Sequence, residues 1–225
     1  MSNFGELDFS QIDWSEFGTA TIETLEMVGA SGLFTLLIGL PLGVLLFMTA
    51  RSTSGFLRGL YTVLSVIVNI LRSVPFIILI VALLPVTAMI VGTSIGVKGT
   101  IPPLVIAAAP FFARLVETAL REVDRGVIEA AYAMGASTGQ VVGKVLLREA
   151  MPGLLAGLTV TIVALVSNTA MAGMIGAGGL GTLAINYGYY RYDMGVMLVA
   201  VVLMVVIVQA LQMLGDRLVI HFSRR

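Results

Sequence analysis

Residues 129–152 form the longest polar interval after the N-terminal region, and their types suit docking against another protein. The interval opens with one acidic and several small residues, which predict a short helix that a partner surface can approach closely. Gly135 is expected to end that helix, because a residue without a Cβ adopts the left-handed conformation of a helix C-terminus at little cost. Ser137 and Gln140 have the spacing of a capping box, so a second helix is predicted to begin there. The candidate docking residues are Glu129, Ala130, Ala131, Met134, Gly135, Ala136 and Ser137.

Residue sets that perform covalent chemistry do not occur in the sequence. No cluster of His, Asp and Glu has the spacing of a metal site, and the single histidine, His221, lies among arginines near the C-terminus. No Ser-His-Asp set can be assembled, and the phosphate-binding pattern GxxxxGK(S/T) is absent. The chain is therefore not expected to be an enzyme or to hold a metal or cofactor. Any energy taken from ATP must come from another polypeptide.

The glycines of residues 176–181 match the dinucleotide-binding fingerprint GxGxxG by letter. That fingerprint follows a strand, opens a helix and precedes an acidic residue by about 20 positions. Here it follows an apolar run, and Val201 stands where an acid is needed. Nucleotide binding is therefore not favoured. The glycines are interpreted instead as allowing backbone to fold back at membrane depth, where protein covers it or it lines a cavity.

Three further residues are candidates for a transport pathway. Arg72 lies inside an apolar stretch, and a charge at membrane depth is costly, so it is expected to face a bundle interior or a wet cavity. A translocation or gating role and a structural role at the break before Pro75 are equal alternatives. Met171 and Met174 precede the glycines and are candidates for a closing ring between two subunits. On the residues alone, ordinary packing of these methionines is the favoured interpretation.

The composition places these residues in an integral membrane protein. The chain is 58% apolar and only 12% charged, against about 25% charged residues in a soluble domain. Its mean hydropathy is +1.01. Long charge-free runs meet the roughly 20 residues needed to cross the hydrocarbon layer, and they lack the alternation of a barrel. The predicted fold class is all-α, a polytopic membrane helical bundle without separate globular domains.

Five membrane spans are predicted, with the docking helices between the third and the fourth. The spans cover about residues 22–50, 59–91, 100–120, 153–172 and 195–219, and the docking helices about 127–146. The second stretch is treated as a single span broken at Arg72–Pro75. The alternative, in which both halves cross the membrane, would place the arginines at 51 and 58 on the opposite side from the other basic residues. Residues 1–21 form an acidic N-terminal tail without the positive charges of a signal peptide. An amphipathic interfacial helix and a mobile terminus are open alternatives for this tail.

The distribution of basic residues predicts the orientation of the spans. With one broken second span, the arginines of the loop at 51–58 share a side with those of the docking interval and of the C-terminus. By the positive-inside rule that side is the cytoplasm, so the N-terminus is expected outside and the C-terminus inside. Arg114 and Glu117 lie near the inner end of the third span and can pair at i, i+3. Gly39 and Gly43 in the first span indicate a close-packing face more than a kink at Pro41.

The docking interval resembles the EAA motif of the permease subunits of binding-protein-dependent ABC importers. The matching residues are Glu129-Ala130-Ala131-x-x-x-Gly135 and, after nine intervening residues, Val145-x-Leu147. Arg148 stands where that motif usually has a proline, and Pro152 lies four residues further on. Residues 68–79, 90–96 and 176–181, with Asn186-Tyr187-Gly188-Tyr189, look like the methionine-uptake permeases. The similarity extends from about residue 20 to the C-terminus.

This resemblance implies a homodimer of five-span subunits in the bacterial inner membrane. Each subunit would dock its EAA helices on a cytoplasmic ATP-binding subunit dimer, which binds the ATP and Mg. An extracytoplasmic methionine-binding protein would deliver D- and/or L-methionine to the outer face. The spans are also expected to contact membrane lipid, and no nucleic-acid partner is expected. The resemblance carries a gate function onto Met171 alone.

Other classes of membrane protein remain alternatives. A channel or an ATP-independent carrier would normally show an internal repeat and acids in the middle of its spans, and neither is found here. A scaffold subunit of a membrane enzyme complex is not excluded by composition. Among importers, a permease for another amino acid is the nearest alternative.

Overall fold

A computed structural model describes residues 13–223 of the chain, and every regular element in that range is helical. The long helices are α1 (Trp14–Ala50), α2 (Gly55–Ser73), α4 (Gly96–Glu122), α8 (Met151–Ala172) and α10 (Met194–Ser223). The short helices are α3 (Phe76–Val91), α5 (Arg125–Ala133), α6 (Thr138–Gln140), α7 (Leu147–Glu149) and α9 (Gly179–Leu183). Two π-helical segments, Val141–Leu146 and Ala184–Tyr189, and a 3-10 turn, Gly173–Ile175, lie between them. The predicted all-α fold is confirmed.

Five helices of the described region are long and apolar enough to cross a membrane. They are α1, α2, α4, α8 and α10. The apolar helix α3 has 16 residues, and at 1.5 Å per residue it is about 24 Å long, shorter than the hydrocarbon layer of about 30 Å. The predicted number of five membrane-crossing helices is therefore confirmed.

The helix boundaries differ from the predicted spans, most of all at the N-terminus. Helix α1 begins at Trp14, eight residues before the predicted first span. Asp13 caps its first turn, because the Asp13 carboxylate accepts hydrogen bonds from the backbone N–H and the hydroxyl of Ser15. These bonds lower the pKa of Asp13. Of the acidic tail predicted for residues 1–21, residues 1–12 lie outside the described residues, and the rest from Trp14 onward is helical.

The predicted break in the second apolar stretch is found between α2 and α3. Pro75 occupies the N-cap of α3 with φ −58° and ψ 135°, an extended conformation that cannot continue a helix. Arg72 lies in the last turn of α2, where the helix dipole favours a positive charge. The glycine-rich interval between the predicted fourth and fifth spans was expected to be a loop, but it is largely helical, because it holds α9 and the second π-helical segment.

The chain forms two compact units, each assembled from separate parts of the sequence. The first unit holds the described residues up to Phe34 together with Val74–Ala107 and Ile162–Leu211. Within it, the N–H of Gly96 at the start of α4 donates to the carbonyl of Gly176 at 2.9 Å. This bond ties the beginning of α4 to the glycine-rich segment after α8.

The second unit holds Thr35–Ser73, Ala108–Thr161 and Gln212–Arg225. In this unit α1 and α4 pack closely through glycine. A Cβ at Gly43 would lie 2.5 Å from Cβ of Val116 and 2.6 Å from the carbonyl oxygen of Ala113. A Cβ at Gly39 would lie 2.9 Å from the Phe112 ring. Small residues let two membrane helices approach in this way, so the predicted packing role of Gly39 and Gly43 is confirmed.

A buried carboxylate organises the polar groups of the second unit. The Glu117 side chain is 3% exposed and accepts from Arg114 at 2.5 Å and from Arg121 at 2.6 Å. Arg114 also donates to Ser65 and, at 3.1 Å, to Oδ1 of Asn69. The predicted i, i+3 pair of Arg114 and Glu117 is confirmed. Together these bonds attach α2 to α4.

Glu117→Gln is expected to lower the free energy of unfolding by about 1.5–3 kcal/mol, since the substitution removes the ionised acceptor of two arginines. The matched control is Glu122→Gln, which removes an exposed carboxylate from the same helix. Thermal unfolding of the purified membrane protein measures the difference. Equal midpoints for the two variants would show that the buried carboxylate contributes no net stability.

Candidate docking and gate site

The first docking helix, α5, has defined ends. Asp124 is its N-cap, and the Asp124 carboxylate accepts from the N–H of Gly126 at 2.7 Å. The helix ends at Ala133, Met134 is its C-cap, and Gly135 follows with φ +80°. The N–H of Ala136 then donates back to the carbonyl of Ala131 at 3.1 Å. Gly135 therefore adopts the left-handed conformation predicted for it, and the chain turns sharply there.

The second docking helix begins at the predicted capping box. The Ser137 hydroxyl accepts from the N–H of Gln140 at 3.4 Å, and the Ser137 N–H donates to Oε1 of Gln140 at 2.9 Å. From Thr138 to Glu149 the backbone stays helical, with the π-helical segment Val141–Leu146 in the middle. A π-helical turn inside a helix is uncommon and occurs often at functional sites.

Ser137→Ala is expected to destabilise the start of this helix by about 1 kcal/mol, because one N–H loses its side-chain acceptor. Amide hydrogen exchange of residues 138–140 measures the effect, which corresponds to roughly fivefold faster exchange. Ser137→Asp is the control, since aspartate is an equally good N-cap. An aspartate variant that exchanges as fast as the alanine variant would contradict the capping role.

The two sides of α5 have different surroundings. Ala131 is buried, 4% exposed, in a core cluster that also contains Val141 and Leu146, and Ile128 packs against that cluster. On the other side Val127, Ala130 and Met134 follow the i, i+3, i+7 spacing of one helix face, and all three are exposed. Met134 is 82% exposed. We call Val127, Ala130 and Met134 the apolar row.

The remaining docking candidates lie around the apolar row. Glu129, Gly135 and Ser137 are exposed, and Ala136 is half-buried. Glu129 lines a shallow cavity with Arg51, Arg125 and Ile128. Partial burial, followed by the charges of Arg125 and Arg121, lowers the pKa of Arg51. This surface therefore combines exposed apolar side chains with a cluster of positive charges.

Ala131 is the docking candidate whose position differs most from the expectation. A small residue there was expected to admit a partner surface, but its side chain faces the core of its own unit. Ala130 is the small residue on the exposed side. The sequence pattern marks the alanine pair without indicating which member faces outward.

Met171 and Met174 lie where α8 gives way to the glycine-rich segment. The two residues are 48% and 58% exposed, while Ala172 and Gly173 between them are buried. The backbone of Gly173 lies against Gly181, so that even a Cβ at Gly173 would overlap it. The two methionines are therefore presented outward from a segment whose backbone is tightly packed within the first unit.

Helix α1 holds this glycine-rich segment through two side chains that sequence reasoning missed. The Glu23 carboxylate accepts from the N–H of Gly179 at 2.6 Å, and the Thr24 hydroxyl accepts from the N–H of Leu180 at 2.9 Å. Gly179 has φ +73°. A Cβ on it would lie 2.6 Å from the Thr24 hydroxyl oxygen. The available signal was an acidic residue inside an apolar helix, which needs a partner.

Arg72 and the methionines belong to different units. Arg72 is exposed and lies in the second unit with the docking helices, whereas Met171 and Met174 belong to the first. The Arg72 guanidinium lies over the ring of Phe111 at 5.8 Å from its centroid. Within residues 13–223, no group of three or more His, Cys, Asp and Glu side chains is arranged to hold a metal ion.

Residues 36–225 match the family described as binding-protein-dependent transport system inner membrane component. This chain belongs to that family. Membership makes it a transport subunit with several spans in the bacterial inner membrane.

Individual relatives of this inner membrane component are closely similar over nearly their whole length. A Vibrio cholerae protein named probable D-methionine transport system permease protein MetI is 50% identical over 209 residues, covering 92% of each chain. The Bacillus subtilis methionine import system permease protein MetP is 48% identical over 208 residues, covering 92% of this chain and 94% of its own. A solved inward-facing structure of the MetNI methionine ABC transporter superposes with a TM-score of 0.88 at 49% identity. The match covers 93% of this chain and 96% of the solved chain.

Proposed function

We propose that this chain is the permease subunit of an ATP-driven importer that carries D- and/or L-methionine across the bacterial inner membrane by alternating access. The observation that carries the proposal is the 50% identity, over 92% of both chains, to a relative named for D-methionine transport. The 49% identity to a chain of the MetNI methionine transporter supports the same substrate, and the TM-score of 0.88 supports the same fold. Both similarities include the docking interval and the glycine-rich segment.

The proposed assembly has two copies of this chain and a dimer of ATP-binding subunits on the cytoplasmic side. The partner subunits bind ATP and Mg and hydrolyse the ATP. An extracytoplasmic methionine-binding protein supplies the substrate, and membrane lipid surrounds the spans. The apolar row of Val127, Ala130 and Met134 supports docking, because exposed apolar side chains on a polar segment are typical of a partner surface. Glu129, Ala131, Gly135, Ala136 and Ser137 then shape and hold this surface.

The proposed mechanism transmits a movement of the ATP-binding subunits into the membrane. Closure of the partner dimer pushes on α5 and α6, which are fixed to their own unit through Ala131, Val141 and Leu146. The push passes along the π-helical segment and α7 to α8, since only Ala150 separates α7 from α8. Helices that move as rigid bodies then close the inner access to the pathway and open the outer access.

Purification of the intact complex, followed by uptake, tests this function. The tagged permease is solubilised in mild detergent and is expected to retain a stoichiometric ATP-binding subunit. The same complex in vesicles, supplied with the binding protein and ATP, is expected to accumulate radiolabelled methionine. Accumulation without any ATP-binding subunit would indicate an ATP-independent carrier. Accumulation of another amino acid in place of methionine would overturn the substrate assignment.

Met171→Ala tests the proposed gate. Removing the exposed thioether is expected to leave a gap in the closed gate between two copies, so that less methionine is imported per ATP hydrolysed. The measurement is the ratio of methionine uptake to ATP hydrolysis in vesicles. Met213→Ala is the matched control, since Met213 is similarly exposed, at 56%, on α10. An unchanged ratio in Met171→Ala would remove this residue from the gate.

A further inference from the structure

Helix α2 has three distinct sides. One side is packed, because Val68 is buried with Leu46 and Ala113. A second side is apolar and exposed, with Val63 at 56% and Ile70 at 58%. The third side is polar. Its residues recur every three or four positions, and they are Arg58, Thr62, Ser65, Asn69 and Arg72. We call these five residues the polar row.

Lipid is an unfavourable neighbour for the polar row. Arg58, Thr62, Asn69 and Arg72 are exposed on the chain, and Ser65 is half-buried against Arg114. Charged and amide groups at membrane depth are costly in hydrocarbon and almost always face protein or water. The exposed apolar side of α2 already provides the surface that suits lipid. The polar row therefore has to face water or a polar ligand.

The end of the polar row near Arg72 is arranged as a set of free donors. Arg114 donates to Oδ1 of Asn69, which fixes the amide so that Nδ2 remains available. Within residues 13–223, neither this Nδ2 nor the Arg72 guanidinium makes a hydrogen bond. The two residues are three positions apart on one helix face, so their donors can reach one ligand. Both groups suit an acceptor with negative charge.

The charges favour a small anionic group over direct packing against a second copy. The polar row has two arginines and no acid, and the neighbouring Arg114 is already paired with Glu117. A two-fold axis would bring the same positive charges of two copies together, which is unfavourable unless an anion or water lies between them. A guanidinium binds a carboxylate through two parallel hydrogen bonds, a geometry that gives both strength and orientation.

Phe111 adds an apolar surface beside these donors. Its ring is half-buried and lies under the Arg72 guanidinium. A thioether makes favourable contacts with the edge of an aromatic ring. The donors that suit a carboxylate therefore lie beside an aromatic surface that suits a sulfur-containing side chain.

We propose that the polar row lines a water-filled pathway and that Arg72 and Asn69 bind the α-carboxylate of the transported amino acid there, with Phe111 contacting its side chain. This inference rests on the proposed function. It adds a ligand site within the membrane subunit itself. Arg114 is a positioning residue of this site, since it acts through the Asn69 amide.

Thiol accessibility tests whether the polar row faces water. The chain contains no cysteine, so single cysteines report on their own positions. Two cysteines are expected to react with water-soluble methanethiosulfonates in the complete complex in membranes. They are Thr62→Cys, in the polar row, and Ser73→Cys, which is exposed one turn after Asn69 on the same side of α2. Val63→Cys and Ile70→Cys, on the apolar side of the same helix, are the matched controls and are expected to react at least about fivefold more slowly, because lipid excludes charged reagents. Equal rates on the two sides would overturn the pathway.

Protection and reagent charge test the carboxylate site. L-methionine at millimolar concentration is expected to slow labelling of Ser73→Cys, whereas methioninol, which has a hydroxyl in place of the carboxylate, is not. Arg72→Gln, added to Ser73→Cys, is expected to abolish this protection. It is also expected to slow labelling by an anionic reagent relative to a cationic one by about fivefold, which is the effect of one nearby unit charge in water. Adding Arg58→Gln, the same charge change at the other end of the row, is expected to leave the protection intact.

Each other outcome contradicts the inference in a different way. Labelling that methionine does not slow, in a complex that still imports methionine, would mean an aqueous pathway without this ligand site. Labelling slowed only by anionic lipid in the vesicles would assign the donors to a phosphate headgroup. A wild-type complex that imports no methionine would overturn the proposed function, and the inference with it.

Discussion

Gly43→Ala is expected to destabilise the folded protein strongly, although it adds a single methyl group. That methyl would lie 2.5 Å from Cβ of Val116 and 2.6 Å from the backbone carbonyl of Ala113. A backbone carbonyl in a helix cannot turn aside, so α1 and α4 would have to move apart. Overpacking of this kind costs about 1–3 kcal/mol and occasionally more. We expect the upper end of that range, because the packed surface continues through Gly39.

Gly29→Ala in the same helix is the matched control. A Cβ at Gly29 has nothing within 4 Å, and alanine is favoured over glycine inside a helix by up to about 1 kcal/mol. The two alanine variants are therefore expected to shift the thermal midpoint of the solubilised protein in opposite directions. Retained fluorescence-tagged protein after heating gives both midpoints. Equal stability of Gly43→Ala and Gly29→Ala would show that α1 and α4 do not depend on their close approach.

Ala130→Glu is expected to separate the permease from its ATP-binding partner without unfolding it. Ala130 is exposed in the centre of the apolar row, and a charge buried there on docking would have no partner. Association is expected to weaken by about thirtyfold or more, the effect of a central interface residue worth about 2 kcal/mol. The amount of ATP-binding subunit retained on the tagged permease measures this loss, and ATP-driven uptake should fall with it.

The neighbouring substitution Ala131→Glu separates docking from folding. Ala131 is buried with Val141 and Leu146, so a carboxylate there is expected to prevent the docking helices from packing and to reduce the yield of folded protein. Ala130→Glu should instead elute as wild type in size-exclusion chromatography. Full retention of the ATP-binding subunit by folded Ala130→Glu would rule out the apolar row as the docking surface.

Features set by local backbone chemistry were predictable from the sequence. Gly135 ends α5 because its left-handed φ is open to glycine, and Ser137 starts α6 because its hydroxyl accepts the N–H of Gln140. The small-residue spacing of Gly39 and Gly43 also predicted a close-packing face on α1, but not that α4 packs against it. In each case the residues that carry the prediction lie within a few positions of one another.

Features set by distant residues were not predictable in the same way. Adjacent alanines at 130 and 131 are chemically equal, and only the tertiary packing of residues 141 and 146 makes one of them a core residue. The early start of α1 lies beyond the apolar run that marked the span. The bond from Glu23 to the Gly179 backbone joins positions that no local pattern relates.

That long separation has a consequence for biogenesis. Glu23 precedes the backbone amide that it accepts from by 156 residues. At synthesis rates of about 5–20 residues per second, the acid emerges from the ribosome roughly 8–30 s before its partner exists. During this interval the first helix enters the bilayer with an unpaired carboxyl group, and water, lipid headgroups or the insertion machinery must satisfy it. The final attachment of the first helix to the glycine-rich segment is therefore one of the last steps of maturation.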